Sequence, residues 1–325
     1  LQVGTEASLL AATELLCGHP PKPGRYRGAI SADPRDAPES IARLTRLVDK
    51  EQPAQGTDKS DLAVLLSRPY LAQAVANLRT DPTGTPLPDL PGYVSLLCAR
   101  LRERTAEELD DPKWHAALLE ALGHYRILAA HRHGDRGVSS LNERVSEHVR
   151  AAILTSASGV SAALAKRTSD NGHFAGRPVL VERNDYLTGL RNGDVGLVVP
   201  RLVGGRLQLS AAFPGLAGQG LRYVSLQRLP PTQTAFAMTV HKSQGSQFQR
   251  VCLVLPEDAS SPILTRELIY TAITRAQWRV DWVGDREVLH AALGREVSRA
   301  SGLHALLWRW PKRKRSDNKR QLSLW

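Results

Sequence analysis

The sequence lacks the features that mark a membrane or secreted protein. Its longest apolar runs fall well short of the roughly 18 to 20 residues that a membrane span needs. No basic segment followed by an apolar run opens the chain. Its three cysteines, Cys17, Cys98 and Cys252, lie far apart among apolar residues, a spacing typical of buried thiols rather than disulfides. We therefore expect no membrane contact, a reducing compartment and a cytoplasmic location.

Several motifs of common enzyme classes are also missing. No lysine follows a glycine anywhere in the chain, so the phosphate-binding loop G-x-x-x-x-G-K-[ST] does not occur. No apolar strand ends in an acidic pair that would hold Mg²⁺, and there is no G-x-S-x-G nucleophile elbow. The histidines of the HRH stretch at 131–133 have no partners at zinc-site spacing. We expect no metal site, and we do not expect the chain by itself to hydrolyse ATP.

Positive charge is in clear excess. Lysine and arginine number 43 against 32 acidic residues, which gives a net charge of +11 over 325 residues. A surplus of this size favours a phosphate-rich partner such as nucleic acid. It is also found in basic proteins whose charges are merely solvated. Charge alone leaves both interpretations open.

Changes in pattern divide the chain into five segments. Residues 1–60 are rich in proline and glycine, which predicts loops. Residues 61–172 read as helices around the apolar strand YRILA, and residues 173–232 as four or five short strands without helices. Strands and helices alternate over 233–303, which indicates a parallel sheet, and the basic low-complexity tail 304–325 is expected to be disordered. We predict an α/β fold interrupted by a small β-barrel.

One polar loop follows the predicted strand 235–240, within FAMTVHKSQGSQFQRVCLVLP. Ligands of doubly wound sheets bind at the carboxyl ends of the strands, so we expect this loop at that edge. Thr239 and His241 can donate to phosphate oxygens there, Lys242 adds charge, and Gly245 permits close approach of the backbone. Taken alone, such a loop is more often a solvated turn than a binding site.

A second motif, ELIYTAITRAQWRV, predicts an amphipathic helix within 264–276. Its apolar residues recur at the spacing of one helix face, and Arg275 lies near the end of the helix, off the centre of that face. An arginine held rigidly in such a place can stabilise charge on a transferring phosphoryl group. Taken alone, Arg275 is equally compatible with a surface ion pair.

Together the two motifs, about thirty residues apart, resemble motifs V and VI of superfamily 1 DNA helicases. The resemblance extends over roughly 125–303 to the RecD family, the alpha subunits of exodeoxyribonuclease V. It is carried by RILAAHRHGDRGVSSLNERV, GRPVLVERNDYLTGLRNGDVGLV and SPILTRELIYTAITRA, and RYRG near the start is similar to motif IV. It implies that the parallel sheet belongs to a RecA-like motor domain and that the inserted strands form an SH3-like β-barrel.

The resemblance also implies roles for individual residues. It places the following on the DNA side: Thr239, His241, Lys242, Gln244, Asn184 and Asn192. On the nucleotide side it places Gln247, Arg275 and Arg27, with Arg275 at the γ-phosphate of ATP. The family usually has a carboxylate at the position of Gln247, where it accepts from the ribose. Glutamine can still form a hydrogen bond there but carries no charge.

The family implies ATP-driven 5′→3′ DNA unwinding in double-strand-break repair and recombination. It implies ATP and Mg²⁺ as cofactors, held mainly by a phosphate-loop half that this sequence does not contain. Single- and double-stranded DNA would be the substrates, and RecB and RecC the partners. The alternatives are a stand-alone RecD-like helicase, the helicase part of a relaxase, or a non-catalytic DNA-binding module.

Overall fold

The computed structural model describes residues 59–72, 92–102, 105–166, 172–215, 220–295 and 297. Several expectations concern residues outside these ranges: the loop-rich start at 1–58, Cys17, Arg27 and the tail 304–325.

The described residues form eight α-helices and nine β-strands. The helices are α1 (Lys59–Leu71), α2 (Tyr93–Arg100), α3 (Ala106–Leu109), α4 (Pro112–Leu122), α5 (Val138–Ser156), α6 (Val160–Lys166), α7 (Arg266–Ile273) and α8 (Arg286–Gly294). The strands are β1 (Tyr125–Ala129), β2 (Pro178–Val181), β3 (Val195–Val203), β4 (Arg206–Pro214), β5 (Leu221–Ser225), β6 (Thr232–Thr234), β7 (Ala237–Thr239), β8 (Phe248–Val254) and β9 (Ala276–Val283).

Four strands form a parallel sheet in the order β7-β1-β8-β9. Successive side chains of a strand point to opposite faces. Ile127 and Ala129 of β1 therefore pack in the cluster that contains α1, α2, α4 and α5, whereas Leu128 packs in the cluster that contains α7 and α8. Helices thus cover both faces of the sheet, and the predicted α/β fold with a parallel sheet is confirmed.

The other five strands form an antiparallel sheet in the order β5-β4-β3-β2-β6, between α6 and β7 in the chain. The β3–β4 hairpin turns at Gly204 and Gly205, whose φ angles of 58° and 72° suit the two-residue turn that matches strand twist. Four or five helix-free strands were expected here. The closure of these strands into an SH3-like barrel stays a prediction.

Two elements differ from the sequence-based boundaries in ways that affect the site. The strand predicted over 235–240 is shorter, Ala237–Thr239, because residues 235 and 236 connect the end of β6 in one sheet to the start of β7 in the other. The helix predicted over 264–276 ends at Ile273, and Ala276, buried to 1% exposure, already belongs to β9. The apolar side chain of Ala276 fits both the helix spacing and the strand alternation, so the sequence pattern extended the predicted helix too far.

The junction between the two sheets is held by a buried asparagine of α5. The Asn142 side-chain nitrogen donates to the carbonyls of Thr234 (2.9 Å) and Ala237 (3.0 Å), and its oxygen accepts from the Ala237 N–H (2.8 Å). One side chain therefore binds the last residue of β6 and the first residue of β7. Buried backbone groups need such partners, so Asn142 fixes where the chain passes from one sheet to the other.

Ala235 and Phe236, between those strands, also accept hydrogen bonds from side chains at their backbone carbonyls. The buried guanidinium of Arg126 donates to the carbonyl of Ala235, and the Tyr70 hydroxyl donates to the carbonyl of Phe236 (2.8 Å). Burial lowers the pKa of Arg126. Each carbonyl from Thr234 to Ala237 thus accepts from a side chain of α1, β1 or α5.

Cys98 and Cys252 are both buried, as their apolar neighbours in the sequence predicted. Within the part of the chain that is described, no helix has both the length and the apolar character to cross a membrane.

Replacing Asn142 tests the role of the junction. Asn142→Ala removes three hydrogen bonds and leaves buried backbone groups without partners, so we expect the free energy of unfolding to fall by about 2–4 kcal/mol in urea titrations. Glu143→Ala, at an exposed position on the same helix, should change it by less than about 0.5 kcal/mol. Equal effects of the two substitutions would show that the asparagine does not hold the junction.

Candidate functional site

The central feature of the site is the crossing segment, residues 240–247, which connects β7 to β8. Thr239, just before it, lies level with Ala129 at the carboxyl end of β1. Just after it, the Gln249 N–H donates to the carbonyl of Gly123, ahead of the amino end of β1 (3.3 Å). The segment therefore crosses the sheet from one edge to the other. The expectation that the whole loop lies at the carboxyl edge was wrong, because β7 and β8 are parallel and the chain must return to the amino edge between them.

The first part of the crossing segment presents polar side chains to solvent. A single turn of 3₁₀ helix begins at His241, and the Thr239 hydroxyl accepts from the Lys242 N–H (3.2 Å). Ser243 is buried, and its hydroxyl donates to the carbonyl of Val240 (2.7 Å). These bonds fix the turn from inside and leave the His241 and Lys242 side chains exposed.

The second part turns toward the amino edge. Gly245 adopts a φ of 86°, a region that glycine enters without steric cost. Gln244, Ser246 and Gln247 are exposed around it. Apart from the buried Ser243, the polar side chains of the crossing segment thus face solvent along its length.

Arg275 lies in the connection between α7 and β9, next to the end of the crossing segment. Its Nε donates to the carbonyl of Thr271 (3.2 Å), one Nη to the carbonyl of Ser246 (3.3 Å), and the other to the Thr274 hydroxyl (3.2 Å). All three acceptors are neutral, and no carboxylate among the described residues pairs with this arginine. The guanidinium is held in place while its charge stays uncompensated.

The structure brings some of the predicted residues together and separates others. The bond from Arg275 to Ser246 places Arg275 beside Gln247, near the amino edge. Thr239 and His241 lie at the other end of the crossing segment, at the carboxyl edge. Of the residues assigned to DNA, Thr239 and His241 therefore lie at the end of this segment opposite to Gln247 and Arg275, which were assigned to nucleotide.

A second feature is the insert loop, residues 182–194, between β2 and β3. The Asn184 side-chain oxygen accepts from the Asn192 N–H (2.8 Å), and the Asp185 N–H donates to the carbonyl of Leu190 (2.8 Å). Asn184 and Asn192 thus close the base of the loop.

The tip of the insert loop exposes two large apolar side chains. Tyr186 is 94% exposed and Leu187 is 98% exposed. Both oxygens of Asp185 accept from the turn, from the N–H of Leu187 (3.3 Å) and the N–H of Thr188 (3.2 Å). The tip is therefore a fixed turn. The sequence analysis missed both residues, although the pair YL in the otherwise polar start of NDYLTGLRNGD was a visible signal.

The insert loop runs alongside the crossing segment. At its start, Glu182 pairs with Lys242 (3.7 Å). At its end, Arg191 and Asp194 line a cavity of about 590 Å³ together with Gln247, and Arg126 and Arg222 also line it. Three arginines against one carboxylate give this cavity a positive lining.

The carboxyl edge contains one further cation that the sequence analysis missed. Arg132 follows β1, is 58% exposed on its side chain, and lies 3.5 Å from Glu182. The HRH stretch was considered only as a zinc site. The described residues hold no group of three or more metal-ligating side chains.

Comparison with known proteins shows what these features are similar to. Residues 234–280, which include the crossing segment and Arg275, match the model of the UvrD-like helicase C-terminal domain. The RecBCD enzyme subunit RecD of Mycobacterium tuberculosis is 37% identical over 225 residues, covering 68% of this chain and 34% of that protein. The ATP-dependent RecD2 DNA helicase of Deinococcus radiodurans is 30% identical over 174 residues, or 54% of this chain and 22% of that protein.

Bacteroides Pif1 bound to single-stranded DNA is a solved structure that covers 90% of this chain and 81% of its own, at 15% identity and a TM-score of 0.26. The family assignment therefore depends on the sequence similarities. The chain spans about a third of the length of the first curated relatives that it matches. The similarities show a RecD-like chain that corresponds to the C-terminal portion of a superfamily 1 helicase.

Proposed function

We propose that this chain is the second motor domain of a RecD-like DNA helicase. In this proposal it binds single-stranded DNA at the carboxyl edge of its parallel sheet and contributes Arg275 to an ATP site at the amino edge. The observation that carries the proposal is the crossing segment, which exposes His241 at one end and binds the uncompensated Arg275 at the other.

On the DNA side, exposed donors follow one another around a fixed turn. His241, Lys242 and Gln244 can donate to backbone phosphates, and these contacts would not depend on base sequence. Thr239 shapes the turn through its hydroxyl. Asn184 and Asn192 close the insert loop, so we assign them the task of holding Tyr186 where it can stack on an unpaired base.

On the nucleotide side, Arg275 supplies a planar guanidinium that is already positioned for a γ-phosphate. The cavity beside Gln247 has a positive lining, which suits the anionic part of a nucleotide. The described residues fit the phosphates better than Mg²⁺, since they offer no cluster of carboxylates. In this proposal the metal and most of the ATP are held by a phosphate-loop domain, which the sequence does not contain.

The wider role follows the names of the relatives. By analogy with the RecBCD subunit RecD, the complete protein would unwind DNA in the 5′→3′ direction during double-strand-break repair, with RecB and RecC as partners. The antiparallel sheet would be the SH3-like barrel of that family. A stand-alone helicase like the RecD2 relative is the second candidate, favoured by the similarity to that protein.

The first test measures single-strand binding by fluorescence anisotropy with a labelled oligonucleotide. His241→Ala should weaken binding by about tenfold, since a hydrogen bond to a charged phosphate is lost. His148→Ala removes a histidine from the α5 surface and should leave the affinity unchanged. Loss of affinity in both variants, or in neither, would contradict a DNA contact at His241.

The tip of the insert loop gives a separate prediction. Tyr186→Ala should weaken single-strand binding by about 1–3 kcal/mol, the range for losing one base–aromatic stack, whereas Tyr186→Phe should keep the affinity. Val203→Ala removes a half-exposed apolar side chain at the hairpin end of β3 and serves as the control. Binding that depends on the hydroxyl rather than the ring would argue against stacking.

The nucleotide side is tested in a protein that joins this chain to a phosphate-loop domain. Arg275→Lys keeps the charge but loses the two-pronged donor, so DNA-stimulated ATP hydrolysis should fall by about 10³-fold or more, with little change in DNA affinity. The 325-residue chain alone should hydrolyse no ATP. Turnover by the purified chain that disappears in its own Arg275→Ala variant would show that the phosphate-loop domain is not required.

A further inference from the structure

Three donors converge on one carboxylate oxygen at the carboxyl edge. Glu182 Oε1 lies 3.5 Å from an Nη of Arg132 and 3.7 Å from Nζ of Lys242. The amide of Gln233, in the orientation that satisfies its hydrogen bonds, donates to the same oxygen (3.2 Å) and accepts from Lys242 (3.1 Å). An anion therefore occupies the point where two cations and an amide meet.

The convergence is produced by the fold rather than by one flexible segment. Arg132 follows β1 and Lys242 follows β7, so both lie at the carboxyl edge of the parallel sheet. Gln233 lies in β6 of the antiparallel sheet, and the Glu182 N–H, just after β2, donates to the carbonyl of Pro231 (3.0 Å). Both sheets therefore contribute to the position of this oxygen.

Glu182 satisfies the donors around it only in part, in both distance and charge. The two ion-pair distances exceed the roughly 2.7–2.9 Å of a well-formed charge-assisted hydrogen bond. The side chains are 58% exposed for Arg132, 37% for Lys242 and 29% for Glu182, and pairs this exposed contribute little. Two positive charges also meet a single negative one, so the cations are left partly unsatisfied.

We propose that Arg132, Gln233 and Lys242 form a binding site for a backbone phosphate of single-stranded nucleic acid, which Glu182 occupies when no strand is bound. A phosphodiester has two non-bridging oxygens and can satisfy both cations at once. Glu182 remains beside the bound phosphate, and its like charge restrains the affinity. The inference rests on the proposed function, and it adds a binding residue, Arg132, and a restraining residue, Glu182.

The test compares two carboxylates in the full chain. Glu182→Gln removes the competing charge, so we expect the dissociation constant for a labelled single-stranded oligonucleotide to fall by about three- to tenfold. Glu257→Gln makes the same charge change near the same edge, in a pair with Arg136 that is also 3.7 Å long. It should change the dissociation constant by less than about twofold. Equal tightening by both would reduce the effect to net charge and overturn the site.

A second pair of variants tests whether Arg132 binds the same phosphate that Glu182 restrains. Arg132→Gln should weaken binding and reduce the slope of log affinity against log salt by about 0.7, the value for one single-strand phosphate contact. In a chain that already carries Arg132→Gln, Glu182→Gln should tighten oligonucleotide binding much less than it does in the wild-type chain, because the two residues act on one site. Additive effects, or an unchanged slope, would contradict the proposal.

Competition experiments distinguish a strand phosphate from free phosphate or nucleotide as the ligand of this site. Inorganic phosphate or ATP at millimolar concentration should not displace the oligonucleotide more effectively from the Glu182→Gln variant than from the wild-type chain. Preferential displacement would show that the site takes free phosphate or nucleotide rather than a strand. A wild-type chain that binds no single strand would refute the proposed function itself, whereas normal binding with equal effects of the Glu182 and Glu257 variants would refute only this inference.

Discussion

Four consecutive backbone carbonyls, from Thr234 to Ala237, have to find donors inside the protein, and the rest of the site depends on how they do so. Asn142, Arg126 and Tyr70 supply those donors from three different elements. Buried backbone groups without hydrogen-bond partners cost free energy of folding. These hydrogen bonds therefore fix the path by which the chain passes from the antiparallel sheet to the parallel sheet. They thereby set where β7 begins.

The crossing segment then joins the two edges of the parallel sheet. A parallel sheet forces the chain to return from the carboxyl edge to the amino edge before the next strand. Here the return is a single exposed polar segment, with His241 at one end and the Arg275 contact to Ser246 at the other. In the proposed function, this segment is a short covalent path between the DNA contacts and the nucleotide contact.

The sequence predicted the elements better than the site. Alternating strands and helices, the helix-free stretch and the glycine turn at 204–205 have local signals, so they could be predicted from pattern. The end of α7 could not, because Ala276 suits a helix face and a buried strand equally well. Nor could the convergence of Arg132 and Lys242 on Glu182, since these residues are distant in the chain and meet only through the pairing of strands.

The central claim is that strand contacts and nucleotide contacts lie at opposite ends of residues 240–247. Hydrogen–deuterium exchange of the chain with and without a single-stranded oligonucleotide tests it most directly. Our account predicts slower exchange in peptides that cover 239–244 and 184–190, with no change over 246–250 and 271–277. Protection concentrated around Arg275, with none at His241, would contradict it.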